Sequence, residues 1–194
     1  MEREPGSDAP VDFGEAGRLV DPPTGALRKT WAWVLILAYS RQQEVACVGD
    51  PSRPTWMQRH GPACTVVGGV PHRVVRDHLN AGIVKARVDD PQVQSTSREG
   101  AEPDGFLLAP GRPRTPEHQG KIEPGGVHDV KRNFLGGRTP TLITQATGDV
   151  RRWCLTTAGP RVHGTTKDAP LDRVEAVERA QLTPLPPMPD ALAL

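Results

Sequence analysis

Aromatic residues make up only 4% of the 194 positions, so the core is short of large anchors and must rely on aliphatic packing. There are only three cysteines: Cys47, Cys64 and Cys154. They stand far apart, are odd in number and form no CxxC pair, which argues against a disulfide framework and fits a reducing compartment. The formal net charge is +1, so the chain is no polycation, and a nucleic-acid role needs local clustering of basic residues. The opening stretch "MEREPGSDAP" is charged and proline-bearing, unlike a secretion signal. The best apolar run, Trp31–Tyr39, is less than half of the roughly 20 residues a membrane helix needs. The six histidines form no Cys/His pair at zinc-ligand spacing, and "GVHDVKRNF" lacks the GxxxxGK[ST] pattern of a phosphate loop.

What is present is a globular composition, 36% hydrophobic and 24% charged, with 21 prolines and 20 glycines that imply many turns. The length suits one ordinary domain with a real core. Residues 1–10 are expected to be disordered. Val11–Val20 reads as a strand and "DPPTGAL" as a turn. Lys29–Ser40 reads as a strand apolar on both faces, which belongs inside a sheet, and Glu44–Val48 as a third strand. Together these predict an antiparallel meander. Thr55–Val67 is expected as a helix with Thr55 or Pro54 near its start, and Arg73–Asp77 as a short strand. A helix over Pro91–Glu102, a strand over Phe106–Ala109, and helices over Val127–Leu135, Thr141–Thr157 and Leu171–Ala180 complete the pattern. The order predicts an α/β fold, a mixed sheet flanked by helices. Trp31 and Trp33 alternate along their strand and read as packing residues.

The chemistry candidates are acids at the ends of these elements: Asp12, Asp77 and Glu123. They are too far apart for a local motif, so only a fold that gathers strand ends could unite them. If gathered, three carboxylates offer the hard oxygen donors that Mg²⁺ or Mn²⁺ prefers. Around Glu123 lies a turn-rich, basic stretch with Arg112, Arg114, His118, Lys121, Lys131 and Arg132. These six are candidate DNA contacts, the lysines and arginines towards phosphates and His118 towards DNA or water.

The blocks "VDFGEAGRLVDPPTGALRKTWAWVLILAYSRQ", "GGVPHRVVRDHLNAGIVKA", "GFLLAPGRPRTPEHQGKIEPGGVHDVKRNFLGGR" and "DVRRWCLTTAGPRVHGTT" closely resemble the integrase core of IstA-type transposases of bacterial insertion sequences. The resemblance runs from about Val11 to Pro187. It implies an RNase H-like fold and a DDE triad, with the acids at Asp12 in "VDFGE", Asp77 in "RVVRDHL" and Glu123 in "GKIE". It implies Mg²⁺ (or Mn²⁺) as cofactor, cleavage at element ends with water, and attack of the freed 3′-OH on target DNA without a covalent enzyme intermediate. It implies double-stranded DNA (element ends and target) as partner, a helper ATPase, and a homo-oligomer on DNA in the bacterial cytoplasm, at the nucleoid when bound, with no membrane role. Where that family has Asn after the second Asp, this chain has His78, and Pro124 follows Glu123 directly. Pro124 disfavours the α region for Glu123 but suits a first helical position.

The expected organisation is a disordered 1–10, an integrase-type catalytic core over 11–140, a C-terminal helical extension over 141–183 and a Pro-rich tail over 184–194. The alternative expectation is a truncated, catalytically inactive remnant that binds DNA or interferes with full-length transposase. It rests on the short stretch before Asp12, the end at Leu194, His78 and Pro124.

Overall fold

A computed structural model describes residues 3–76, 107–109 and 125–185. Five strands form one sheet in the order β3-β2-β1-β4-β5. They are β1 (Asp8–Val20), β2 (Leu27–Ile36), β3 (Gln43–Val48), β4 (Arg73–Arg76) and β5 (Leu107–Ala109). The first three pair antiparallel, as the meander pattern requires, while β4 lies parallel to β1 and β5 parallel to β4.

β1 starts three residues before the expected Val11, and the segment expected to be disordered is tied down. Asp8–Val11 pairs with Arg73–Arg76, and the carbonyls of Gly6 and Ser7 accept from the N–H groups of His72 and Arg73. Pro10 hides this in the sequence: it has no N–H to give a ladder, so it reads as a strand breaker. In the sheet the neighbouring residues carry the pairing. At the other end of β1 the register shifts between Glu15 and Gly17, and Gly17 takes φ +86°, a bulge that glycine allows without strain.

Helices cover both faces. Helix α1 (Arg53–Val67) begins two residues earlier than expected. Its N-cap is Ser52, whose hydroxyl accepts from the Thr55 N–H, with Pro54 in the first turn, where its missing N–H costs nothing. Gly68 closes it in the left-handed conformation at φ +88°. Helix α2 (Gly125–Asp129) continues in wider π-type turns over Val130–Leu135. Helix α3 (Ile143–Trp153) widens likewise over Cys154–Ala158. Helix α4 (Pro170–Arg173) widens over Val174–Glu178 and tightens over Arg179–Gln181.

Strand alternation divides the core. On one face Ala9, Val11 and Phe13 of β1 pack with Trp33, Leu35, Val74, Trp56, Ala63, Val67 and Val174. On the other, Ala16, Ala32, Val34 and Val45 pack with Val130, Phe134, Val150 and Trp153. Each large side chain so buried contributes about 1.5–3 kcal/mol. Trp33 is fully buried, edge-on to the His60 ring at 5.3 Å between centroids, and is a packing residue as its position predicts. The C-terminal helices are clasped to the sheet by buried Glu178, whose two oxygens accept from the Gly6 and Ser40 N–H groups, each at 3.1 Å.

The expected helix over Pro91–Glu102 and most of the 184–194 tail lie outside the described residues. All three cysteines are buried and free. Among the described residues no helix is long and apolar enough to cross a membrane.

Candidate active site

Asp12 sits half-buried in β1, the central strand of the five. Alternation gives it the face opposite Val11 and Phe13, shared with Gly14 and with its register partner Val34 on β2. The Phe13 N–H donates to Asp12 Oδ1 at 2.7 Å, which holds the carboxylate's orientation.

The start of α2 is pressed onto this same face. A Cβ placed on Gly14 would lie 1.8 Å from Val127 Cγ1, and one on Gly126 would lie 2.5 Å from Ile36 Cδ1 and 3.0 Å from Val34 Cγ1. Both positions therefore demand glycine for close approach. Gly126 rests on the residue paired with Asp12, and Val127 on the residue two beyond Asp12. Neither glycine stood out in the sequence, where "PGG" reads only as a turn. The signal that could have found Gly14 was a glycine inside a strand pattern, which marks close approach of another backbone.

At its other end α2 is held by Asp129. Asp129 Oδ2 accepts from Gln43 Nε2 on β3 at 3.1 Å, and Oδ1 from Asn133 Nδ2 at 2.6 Å and Arg161 Nη2 at 3.0 Å. The edge strand, the helix and the segment after α3 thus meet at one carboxylate. A buried acid, Glu44, is 1% exposed and paired with Arg151 of α3. Burial pushes its carboxyl above the usual range, and the Arg151 charge and hydrogen bond offset part of that. Burial also pushes the Cys47 thiol up to about 11. Cys154 goes higher still, through burial and then the nearby Glu44 and Asp129 charges. Neither thiol is poised as a nucleophile.

Of the residues named from sequence, Asp12, Lys131 and Arg132 are described. Lys131 and Arg132 are exposed on α2, beyond its buried Val130 and Phe134. Asp77, Glu123, Arg112, Arg114, His118 and Lys121 lie outside the described residues. The described chain reaches Arg76, opposite Val11, one residue before Asp77, and after Leu107–Ala109 resumes at Gly125, two residues after Glu123. Among the described residues no group of three or more His, Cys, Asp or Glu side chains could hold a metal. Asp12, the one described acid of the three, is a carboxylate oriented by a main-chain N–H, beside a glycine against which Val127 of α2 packs.

The strand order, the antiparallel β1–β3 with parallel β4 and β5, and helices on both faces define an RNase H-like fold. Among solved structures, the fold is similar to the HTLV-2 integrase catalytic core domain solved in complex with magnesium (trimeric form). That match has a TM-score of 0.52 and 11% identity, over 89% of this chain and 98% of that one. It is also similar to a chain of the simian T-cell lymphotropic virus intasome in complex with PP2A regulatory subunit B56 gamma, at TM-score 0.53 and 13% identity, over 100% of this chain and 62% of that one. In sequence, Rv3428c of Mycobacterium tuberculosis, named as a transposase, is 33% identical over 183 residues, 94% of this chain and 44% of that protein. The "Transposase for insertion sequence element IS21-like" of Bacteroides fragilis is 27% identical over 180 residues, 92% of this chain and 34% of that protein. No family model matches the chain. The chain is similar in sequence to insertion-sequence transposases and in fold to integrase catalytic cores, and it spans less than half the length of these two relatives.

Proposed function

We propose that this chain carries out the metal-dependent DNA cleavage and strand transfer of transposition, with Asp12, Asp77 and Glu123 as the carboxylates that hold Mg²⁺ or Mn²⁺. The observation that carries the reading is the seat of α2. Gly126 and Val127 lie against Val34 and Gly14 on the face that bears Asp12, and Glu123 is only three residues before Gly126 in the chain. The β1–β4 ladder supports the second acid: its last described pair is Val11↔Arg76, and Asp12 and Asp77 are the residues that follow these two in the sequence.

Bound divalent cations would activate the attacking oxygen and stabilise the departing one. The protein's own part is to hold three like charges together and to line up the DNA. Water adds at a phosphorus of an element end and the P–O3′ bond breaks, freeing a 3′-OH. That oxygen then attacks a phosphorus of the target strand, and the target's own P–O3′ bond breaks. Arg112, Arg114, Lys121, Lys131 and Arg132 hold phosphates in register, and His118 contacts DNA or water. In this reading the core comprises 11–140 together with the start of β1, and the helices of 141–183 are an extension packed on it. The partners are element-end and target DNA, further copies of the chain on that DNA, and a helper ATPase, all in the bacterial cytoplasm.

The test is nicking of duplex DNA bearing the element's ends by purified protein with Mg²⁺ or Mn²⁺. Asp12→Asn, Asp77→Asn and Glu123→Gln should each abolish it while the thermal transition stays cooperative. Equal nicking by wild type and variants would overturn the reading. Duplex binding without cutting by the wild type would replace it with the inactive remnant.

A further inference from the structure

The π-type turns that extend α2 end at Leu135, and a Gly136–Gly137 turn brings Arg138 back over the helix end. Gly137 takes φ +76°, and the Arg138 N–H donates to the Leu135 carbonyl at 3.2 Å. This turn lays the Arg138 guanidinium on the Phe134 ring, with Cζ 4.0 Å from the ring centroid. Phe134 is itself buried and packed against Trp153 of α3, at 5.7 Å between centroids. A rigid ring thus supports the guanidinium from below and restricts its rotamers before any ligand arrives. Its outer side is open, since the side chain is 51% exposed. Its ion-pair partner Asp149 stands 3.9 Å away, beyond hydrogen-bond reach, so among the described residues the Arg138 guanidinium donates no hydrogen bond. Neighbouring arginines are engaged. Arg151 donates to Glu44 and Arg161 to Asp129. Arg173 stacks on Tyr39 at the same 4.0 Å, but it donates to Asp168 and is 10% exposed.

Asp149 has a second arginine. Arg152 Nη1 donates to its Oδ1 at 3.4 Å and is 73% exposed, so two guanidiniums share one carboxylate and one positive charge is left unmatched. Lys131 and Arg132 are exposed on α2 just before the turn, and a Cβ on Gly136 would lie 3.0 Å from the Arg132 carbonyl oxygen. A planar fork fixed on a ring and open to solvent fits an anion that presents two oxygens side by side, as a phosphodiester does. Cations on adjoining turns of α2 and α3 suit a repeating anion rather than a single one. We infer that Arg138, with Arg152 beside it, is a phosphate-binding site that extends the DNA track of α2 onto α3. This rests on the DNA-binding reading under Proposed function and adds two contacts to it. Asp149 keeps the two guanidiniums together in the free protein and competes with phosphate for them.

The experiment uses the full chain and measures binding to fluorescent duplex DNA by anisotropy across a salt series, on element-end and unrelated duplexes, with thermal unfolding alongside. Arg138→Ala should bind both duplexes roughly fivefold to tenfold more weakly at physiological salt and lower the slope of log affinity against log salt by about 0.9, the signature of one phosphate contact. Arg138→Lys should keep the slope, because the charge remains, yet bind about threefold more weakly, because the fork is gone. Asp149→Asn should bind about twofold to threefold more tightly, a gain that a merely structural carboxylate would not give. Arg179→Ala is the control: it removes the same charge from the end of α4, whose Val174 packs on the other face of the sheet, and should leave binding unchanged. An Arg138→Ala variant that binds like wild type, or an Asp149→Asn variant that binds more weakly, would overturn the site and leave the DNA-binding reading standing. So would an equal loss in Arg179→Ala, which would mark a general effect of charge. A loss confined to the element-end duplex would overturn the phosphate assignment in favour of base contact. A folded wild type with no affinity for either duplex would sink the site and the DNA-binding reading together.

Discussion

Gly14 and Val127 touch so closely that a methyl group on Gly14 would fall 1.8 Å from Val127 Cγ1. This contact joins the central strand to the helix that follows Glu123, and there is no room in it for any other residue at position 14. Gly14→Ala should therefore cost about 1–3 kcal/mol of stability, the usual range for overpacking, and abolish nicking. Val127→Ala removes the opposing methyl groups. The double variant Gly14→Ala/Val127→Ala should recover part of the stability lost, and a double-mutant cycle in urea checks this.

Gly148 makes the contrast. It lies inside α3, where an added Cβ would meet nothing within 4 Å and the backbone is ordinary helix. Gly148→Ala should stabilise the protein by about 0.5–1 kcal/mol, read as a raised unfolding midpoint, with nicking unchanged.

Asp129 gathers Gln43, Asn133 and Arg161 around one carboxylate. Asp129→Ala strips buried Gln43 of its acceptor and should cost about 1–3 kcal/mol. Asp129→Asn keeps a carbonyl acceptor and should cost less. The ordering, measured by denaturant unfolding, is the check.

The Glu44–Arg151 pair makes stability depend on pH. Glu44 has a folded pKa raised above its ordinary 4.5, mainly by burial. Its contribution is therefore fully favourable below the unfolded value and is lost as pH rises through the folded one. Arg151 limits that loss. Arg151→Ala should leave Glu44 charged and buried without its cation, costing about 3 kcal/mol at pH 8 and distinctly less at pH 5. Urea midpoints at the two pH values decide it; an equal loss at both would show that Glu44 is not the group responsible.

Lys131 and Arg132 are exposed on α2, where the proposed function has each contact a phosphate. Lys131→Ala and Arg132→Ala should weaken duplex binding to a similar degree on any sequence. Each should lower the slope of log affinity against log salt by about 1, as measured by fluorescence anisotropy.

Much of the secondary structure was legible in local patterns. The apolar run around Trp33 marked an interior strand, and "DPPTGAL" marked the turn before it. The helical patterns over Val127–Leu135 and Thr141–Thr157 marked helices whose Val130, Phe134, Val150 and Trp153 pack together on one side of the sheet. The α-to-π widening of α2, α3 and α4 left no such trace. The start of β1 was missed because Pro10 and the charged Asp8 argue against a strand until their partners on β4 are in place.

By itself the sequence determined most of the described strands and helices, and that Asp12 would lie in the first strand, since side-chain period and turn chemistry act over a few residues. Only the tertiary structure decided that the strand of Asp12 is the central one, that β4 runs parallel to it in a register that pairs Asp8 with Arg73, and that α2 lands on Gly14. These depend on contacts between residues distant in the chain, whose shapes and charges meet only once the sheet has closed.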